Sequence, residues 1–374
     1  MSILDKLNTL IPMEDIEIKA QQQIYNALGF GFLIKLAVMP DVHCGYSLPI
    51  GGIALLDGVI SPAYVGYDIG CGMCLIITEI PFMDIIPDIK RRLKIFEDMY
   101  KKIPCGVGLA RDTSLSFEDF KSASGDKTFS QNVNSKLNQL GTLGSGNHFI
   151  EIGMNRKGNL CVTVHSGSRK PGWLIGHYYM KISKVKDKAL PKDFLYLNGD
   201  IGQQYLQDMN YALDFALANR KAIMVDALSV IGLKITEILK LLPGMINENH
   251  NHAELTKDGV LHRKGATPAE KGQIGVIPGS MKSGVYVTEG LGNKDYLCSA
   301  SHGAGRVMSR TEAKHNIILE EFQTQMEGIT CKVDNTTKDE APDAYKNLTN
   351  VIEQQEGIVI NTIDFIKPII NVKG

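Results

Sequence analysis

Leu48-Pro49-Ile50-Gly51-Gly52-Ile53-Ala54-Leu55-Leu56 and, further on, Cys74-Leu75-Ile76-Ile77 are short apolar runs bounded by glycine and proline. Runs of this length with turn residues at their ends read as buried β-strands. The pattern returns at residues 160–165, 259–262 and 283–288. Between these runs lie two helical stretches. Residues 84–102 carry charge on one side of an apolar stripe (Ile89, Leu93, Phe96, Met99), which predicts a surface helix covering the sheet. Over residues 203–242, Leu228, Ile231, Ile235, Ile238 and Leu242 recur at helical spacing and predict a core-covering helix pair. Strands and helices do not alternate in strict βαβ order. The expected class is therefore α+β, with mixed and antiparallel sheets forming a central β core surrounded by helices. No repeat or low-complexity linker divides residues 1–374, so a single domain is expected. The most polar stretch, residues 335–342, is expected to be an exposed loop.

Composition narrows the function. Forty Lys and Arg against 41 Asp and Glu leave a net charge of -1, which excludes a global positive field drawing the chain to nucleic acid or anionic lipid. The first residues lack the basic-then-apolar order of a signal peptide, and no apolar run is long enough to span a bilayer, so a cytoplasmic protein without membrane contact is expected. Seven scattered cysteines in a chain long enough to build its own core argue against a disulfide framework.

Six of the nine histidines fall in polar, glycine-rich segments: Asp41-Val42-His43-Cys44-Gly45, Gly144-Ser145-Gly146-Asn147-His148-Phe149-Ile150-Glu151, Val164-His165-Ser166-Gly167-Ser168-Arg169, Glu248-Asn249-His250-Asn251-His252 and Ser301-His302-Gly303-Ala304-Gly305-Arg306. Clustering of that kind points to a site. Asp68-Ile69-Gly70-Cys71-Gly72-Met73-Cys74 adds a CxxC, but a zinc knuckle would need a second ligand pair nearby, and a redox pair should open a helix rather than precede a strand. One cysteine acting with Asp68 and distant histidines is the remaining reading. A sulfur, nitrogen and oxygen set suits a borderline ion such as Mn, Co or Zn. Gly275-Val276-Ile277-Pro278-Gly279-Ser280-Met281-Lys282-Ser283 is not a Walker A loop, because its spacing is one residue short.

Taken together, Met39 to Gly45, Pro49 to Met73, Gly141 to Glu151, His165 to Arg169, Pro278 to Met281, His302 to Arg306 and Val372-Lys373-Gly374 resemble, in order and wording, the RtcB family of RNA ligases. The resemblance implies an RtcB-like fold and an enzyme that joins RNA ends bearing a 2′,3′-cyclic phosphate or 3′-phosphate to 5′-hydroxyl ends. It implies two Mn2+ ions and GTP as cofactors, and it admits an archease-like activator. By the same resemblance Asp68, Cys71, His148, His165 and His250 are metal ligands, with the Cys71 thiolate bridging two ions. His302 is the nucleophile that takes GMP from GTP. Nucleotide contacts fall on Asn147, His148, Glu151, His250, Asn251, Pro278, Gly279, Ser280, Met281, Gly303, Ala304, Gly305, Arg306 and Lys373. Val285 stands where the family has a nucleotide-contacting Ser.

The residues themselves agree with a histidine nucleophile. The KxDG lysine of conventional ligases has only Lys257-Asp258-Gly259 as a counterpart, one residue short. Attack by His302 needs its other ring nitrogen held and cations to offset phosphate charge; the metal cluster and Arg306 are the expected sources. Lys373, close to the end of the chain, is expected to donate to guanine O6 and N7. Two rival readings are a metal-dependent phosphoesterase acting on RNA ends and a non-enzymatic RNA end-binding protein.

Overall fold

The computed structural model describes residues 3–112, 115–184 and 189–374. Two sheets dominate. The larger runs Ile274–Pro278, Val285–Gly290, Ile360–Lys373, Phe149–Asn155, Asn159–Ser166, Gly72–Pro81 and Ile246–Asn249, with antiparallel neighbours throughout, and Thr330–Cys331 adds a short parallel pairing to Ile360–Lys373. The smaller runs Leu7–Thr9, Leu33–His43, Ile50–Leu56, Gly259–Lys264 and Asn251–Thr256. The α+β expectation holds. His250 lies between Ile246–Asn249 of the larger sheet and Asn251–Thr256 of the smaller one, so the chain changes sheets at that residue.

Helix Asp200–Ile231 packs across the larger sheet. Ile223, Met224, Ala227, Leu228 and Ile231 meet Cys74, Ile76, Ile150, Val162 and Val164 in one apolar cluster. The helix ends at Gly232, whose φ of 107° is a left-handed cap open to glycine, and Ile235–Leu241 completes the expected pair. The stretch 84–102 departs from its reading. Pro87 separates a short turn, Phe82–Ile85, from the helix Ile89–Lys102, which starts where the Asp88 side chain accepts a hydrogen bond from the Arg91 amide. Its buried face is Ile95 and Met99, with Phe96 partly covered, whereas Ile89 and Leu93 are exposed. The N-terminal part of the helix, through Leu93, stays outside the apolar cluster that Ile95 and Met99 enter.

The expectation of an exposed loop at 335–342 holds at Asn335 and Thr336 and fails beyond them. Thr337, Asp339, Glu340 and Ala341 are buried around the short 3₁₀ turn Lys338–Glu340, because cations from three other segments converge on these carboxylates. No helix among the described residues is long and apolar enough to cross a membrane.

Two neighbouring helix residues join the motif segments. Arg220 is completely buried and donates to Gly70 O at 2.7 Å, Ser166 O at 3.0 Å, Asn247 Oδ1 at 2.6 Å and Asn249 Oδ1 at 2.7 Å. Asn219 accepts from the Gly141 amide at 2.7 Å and donates to Gly167 O at 3.0 Å. Removing the guanidinium leaves two buried carbonyls and two half-buried side-chain amides without their donor, the carbonyls being the costlier to leave unmet. Arg220→Leu is expected to lower stability by about 3–5 kcal/mol in denaturant unfolding. A loss below about 1 kcal/mol would show that these segments hold their places without it.

Candidate functional site

The strand order brings the expected ligands to one end of the larger sheet. His165 pairs with Phe149 on one side and Met73 on the other, so His148, Cys71 and His165 come from adjacent strands or their entrances. Gly70 has φ of 70°, and a Cβ there would lie 2.8 Å from Ala216 Cβ; only glycine lets the Asp68–Cys71 turn rest on the long helix. The CxxC pair is split by the strand's alternation. Cys71 Sγ faces the histidines, while Cys74 sits in the apolar cluster beneath the helix.

All five expected ligands converge. Asp68 Oδ2 lies 3.2 Å from His148 Nε2, Cys71 Sγ lies 3.4 Å from His148 Nε2 and 3.2 Å from His165 Nε2, and His165 Nε2 lies 3.3 Å from His250 Nε2. His165 Nδ1 donates to Asn147 O at 3.0 Å. His148 Nδ1 has Leu143 O at 3.0 Å, closer than the Arg169 guanidinium at 3.3 Å. Backbone carbonyls thus hold the protons on Nδ1, and the Nε2 lone pairs point at one another and at the thiol. Lone pairs crowded together in this way want a cation between them.

The electrostatics agree. Burial, reinforced by neighbouring histidines, holds His165 and His250 well below the usual imidazole range, so both are neutral donors. Burial, with the Asp68 carboxylate beside it, pushes the Cys71 thiol up. Burial alone would raise Asp68, but its contacts with the His148 ring and the Cys71 thiol, with the Arg169 guanidinium nearby, bring it below the carboxylate range. A bound cation would reverse the thiol's preference and displace its proton. The donor set therefore fits a borderline divalent ion.

His302 stands beside this cluster, its ring 4.8 Å from that of His250. Its Nδ1 donates to Asp41 Oδ2 at 2.7 Å, and its backbone amide approaches the same oxygen at 3.2 Å. Asp41, fully buried, fixes the ring and leaves Nε2 free of that contact. Gly305 makes this approach possible, since a Cβ on its left-handed backbone would sit 2.1 Å from Asp41 O. Asp41, rather than the metal cluster or Arg306, is the partner of Nδ1. Arg306 is committed elsewhere: it donates to Met308 O at 3.0 Å and Asp339 O at 2.6 Å, and lies over the Tyr345 ring.

A cavity of about 310 Å³ extends from His302 and the cluster. Asn147, Glu151, His250, Asn251, Pro278, Gly279, Ser280, Met281, Gly303, Ala304, Gly305, Arg306 and Lys373 all line it. His148 does not; it lines a second cavity on the other side of the cluster. Glu151 accepts from Asn371 Nδ2 at 3.2 Å through Oε2, while Oε1 is buried without a partner, and burial pushes the carboxyl up to about 8. Val285 packs in an apolar cluster with Met73 and Phe149. The nearby hydroxyl is Ser283, 2.8 Å from Ser280 at the cavity wall.

Glu340, Arg310, Tyr345 and Asn371 were not among the expected residues. Glu340 binds Lys373 Nζ at 2.5 Å and the Tyr345 hydroxyl at 2.7 Å, and also pairs with Arg310. Burial works against its charge, but Lys373 and Arg310 hold the carboxyl down to about 2. Lys373 is no tail residue. It ends the strand Ile360–Lys373, pairs with Phe149 and is 6% exposed. The run Lys338-Asp339-Glu340 has no sequence mark separating it from a solvated acidic turn; Asp41, by contrast, sits in a flagged segment and could have been found there.

Known proteins share this chain's pattern. A family model described as tRNA-splicing ligase RtcB matches residues 23–128 and 118–374. The RNA-splicing ligase RtcB of Escherichia coli K12 is 34% identical over 391 residues, covering 96% of this chain and 95% of that protein. The tRNA-splicing ligase RtcB of Aeropyrum pernix is 30% identical, over 87% of this chain and 85% of its own length. RNA-splicing ligase RtcB homolog 1 of Entamoeba dispar is 30% identical over 94% of this chain and 81% of its own. With the family's motifs assembled around one ligand cluster and its model matched along most of the sequence, the chain belongs to the RtcB family.

Proposed function

We propose that this protein is an RNA ligase that joins 2′,3′-cyclic phosphate or 3′-phosphate ends to 5′-hydroxyl ends, using GTP and two manganese ions. The observation that carries the reading is the position of His302, its Nδ1 held by Asp41 and its Nε2 free beside the ligand cluster and the cavity. Nε2 attacks the α-phosphorus of GTP; an N–P bond forms, the bond to the bridging oxygen breaks, and pyrophosphate leaves. Asp41 supports the positive charge that develops on the ring. The RNA 3′-phosphate then displaces the histidine to give an RNA-3′-pp-5′-G end, and attack by the 5′-hydroxyl oxygen on the 3′-phosphorus releases GMP and closes the phosphodiester. Asp68, Cys71, His148, His165 and His250 would hold the manganese, which supplies positive charge against the phosphates and orients the reacting ends. The seven cysteines are all free thiols, in keeping with a reducing compartment such as the cytoplasm.

Glu151 supports guanine as the base. An unpartnered buried oxygen on the Glu151 carboxyl suits the N1–H and N2–H₂ groups of guanine, donors that would draw the group from the neutral form favoured by burial to the carboxylate, where adenine presents an acceptor at N1. Lys373 adds a donor for O6 on the same wall.

Incubation with α-labelled GTP and manganese is expected to put label on His302, labile to acid and stable to alkali as a phosphoramidate is. Label persisting in His302→Ala would favour a different nucleophile, and phosphate-ester hydrolysis with no adduct at all would favour a phosphoesterase. Cys71→Ser is expected to abolish the adduct and lower bound manganese, with Cys74→Ser retaining both, as read by metal analysis after dialysis. Loss of manganese from Cys74→Ser alone would reverse the assignment of the two thiols. Glu151→Gln, which replaces one acceptor by a donor, is expected to cut the preference for GTP over ATP in adduct formation roughly tenfold, from about 1–3 kcal/mol of recognition. An unchanged ratio would take Glu151 out of base selection.

A further inference from the structure

The ligand cluster has a second face that the nucleotide chemistry leaves unused. A cavity of about 610 Å³ opens there, sharing Asp68 and Asn147 with the nucleotide cavity and bounded by His148, Arg169, Lys170 and Trp173. Trp173 and His177 lie one helical turn apart on Arg169–Ser183, with ring centroids 4.9 Å apart and planes within 7°. Tyr67, the residue before Asp68, stacks on the same indole at 6.0 Å, and Tyr46 abuts Tyr67 edge-on at 6.0 Å. Rings of this size are normally drawn into the core, yet Trp173 is 37% exposed and Tyr46 48%. Cations accompany them: Lys170 Nζ lies 3.3 Å from the Trp173 ring centroid, Lys136 is exposed on the cavity wall, and Arg169 Nε is buried without a hydrogen-bond partner.

We propose that the cluster of Tyr67, Trp173 and His177, each ring within 6.3 Å of the other two, is a stacking platform for an unpaired base of the RNA end that is delivered to the ligand cluster, an inference that rests on the RNA-ligase reading above. Three physical arguments favour a single strand as occupant. Stacking on aromatic side chains tolerates any base, because every base has a π-face, and it needs a base not already stacked in a duplex. Lysines and an arginine interleaved with the rings supply countercharge for the backbone, which the chain's net charge of -1 does not provide globally. The cavity is also continuous with the ligand cluster, since Asp68 and Asn147 line both cavities, so a strand lying on the platform ends at the reacting groups. Lys170, on a flexible four-carbon stem, covers the open face of the indole; an incoming base displaces it toward the strand's phosphate.

Trp173 is the only tryptophan in the chain, so its fluorescence reports on the platform alone. The full-length protein is titrated with a single-stranded oligoadenylate carrying a 5′-hydroxyl, and with a blunt duplex of mixed sequence. Saturable quenching by the single strand is expected, with little from the duplex. Trp173→Ala is expected to weaken single-strand binding roughly tenfold, and Trp173→Phe, which keeps a ring, to restore most of it. Unquenched emission at saturating oligoadenylate, equal quenching by the duplex, or unchanged affinity in Trp173→Ala would each overturn the platform. Should the alanine variant fail to fold, quenching of the unmodified protein and the affinity of Trp173→Phe decide the matter. The GMP adduct of the unmodified protein, which needs no RNA, keeps the two readings apart: quenching without an adduct supports the platform and counts against the ligase chemistry, and an adduct without quenching removes the platform alone.

Discussion

The buried guanidinium of Arg220 is the contact on which the arrangement turns. Its four acceptors belong to Gly70 beside Cys71, Ser166 beside His165, and Asn247 and Asn249 just ahead of His250. One side chain on one helix therefore sets the relative positions of three ligand segments that are far apart in sequence. Asn219 adds the fourth, holding the Gly141 turn that leads to His148. A fully buried cation is costly to desolvate, and among the described residues no carboxylate pairs with it directly; the carbonyl and amide dipoles compensate it, as do the charges that Asp68 and a metal-bound Cys71 would carry nearby. Aliphatic packing could hold the helix on the sheet. Fixing three segments relative to one another takes a rigid, multidentate donor, which is what a guanidinium offers.

From that frame follows a site with two sides. On one, His302 and the polar cavity suit a nucleotide; on the other, an aromatic and basic groove suits a nucleic-acid strand. The five ligands form the wall between them. This explains why His148 faces away from the nucleotide cavity although its neighbours Asn147 and Glu151 line it: the entrance to the strand Phe149–Asn155 passes through that wall. Asp339 and Glu340, behind the lining of the first cavity, gather Arg306, Arg310 and Lys373 that do line it, so that these cations stay oriented without a ligand.

Much of this was legible in the sequence because the relevant signals are local. Glycines at fixed places beside His, Asp and Cys mark turns where backbone must come close, as Gly70 and Gly305 do. The strand beginning at Gly72 turns Cys71 and Cys74 to opposite faces, which a spacing of three in extended chain already implies. What escaped depends on contacts between distant segments. Arg220 reads as one more charge in a long amphipathic helix, and its burial is visible only once the sheet beneath it is known. Glu340 looked solvated because its three partners lie at positions 306, 310 and 373. Asp41 was noticed within its segment, but its pairing with His302, 261 positions away, is a product of the fold.

The central claim is that Asp68, Cys71, His148, His165 and His250, brought together by this framework, would hold divalent metal with the Cys71 sulfur as a ligand. Crystals grown with manganese and measured at its absorption edge test it most directly. The account predicts anomalous density within ligand distance of Cys71 Sγ and of the surrounding Asp68, His148, His165 and His250 donors. A peak pattern that leaves Cys71 outside the coordination sphere, or manganese bound only elsewhere on the chain, would contradict it.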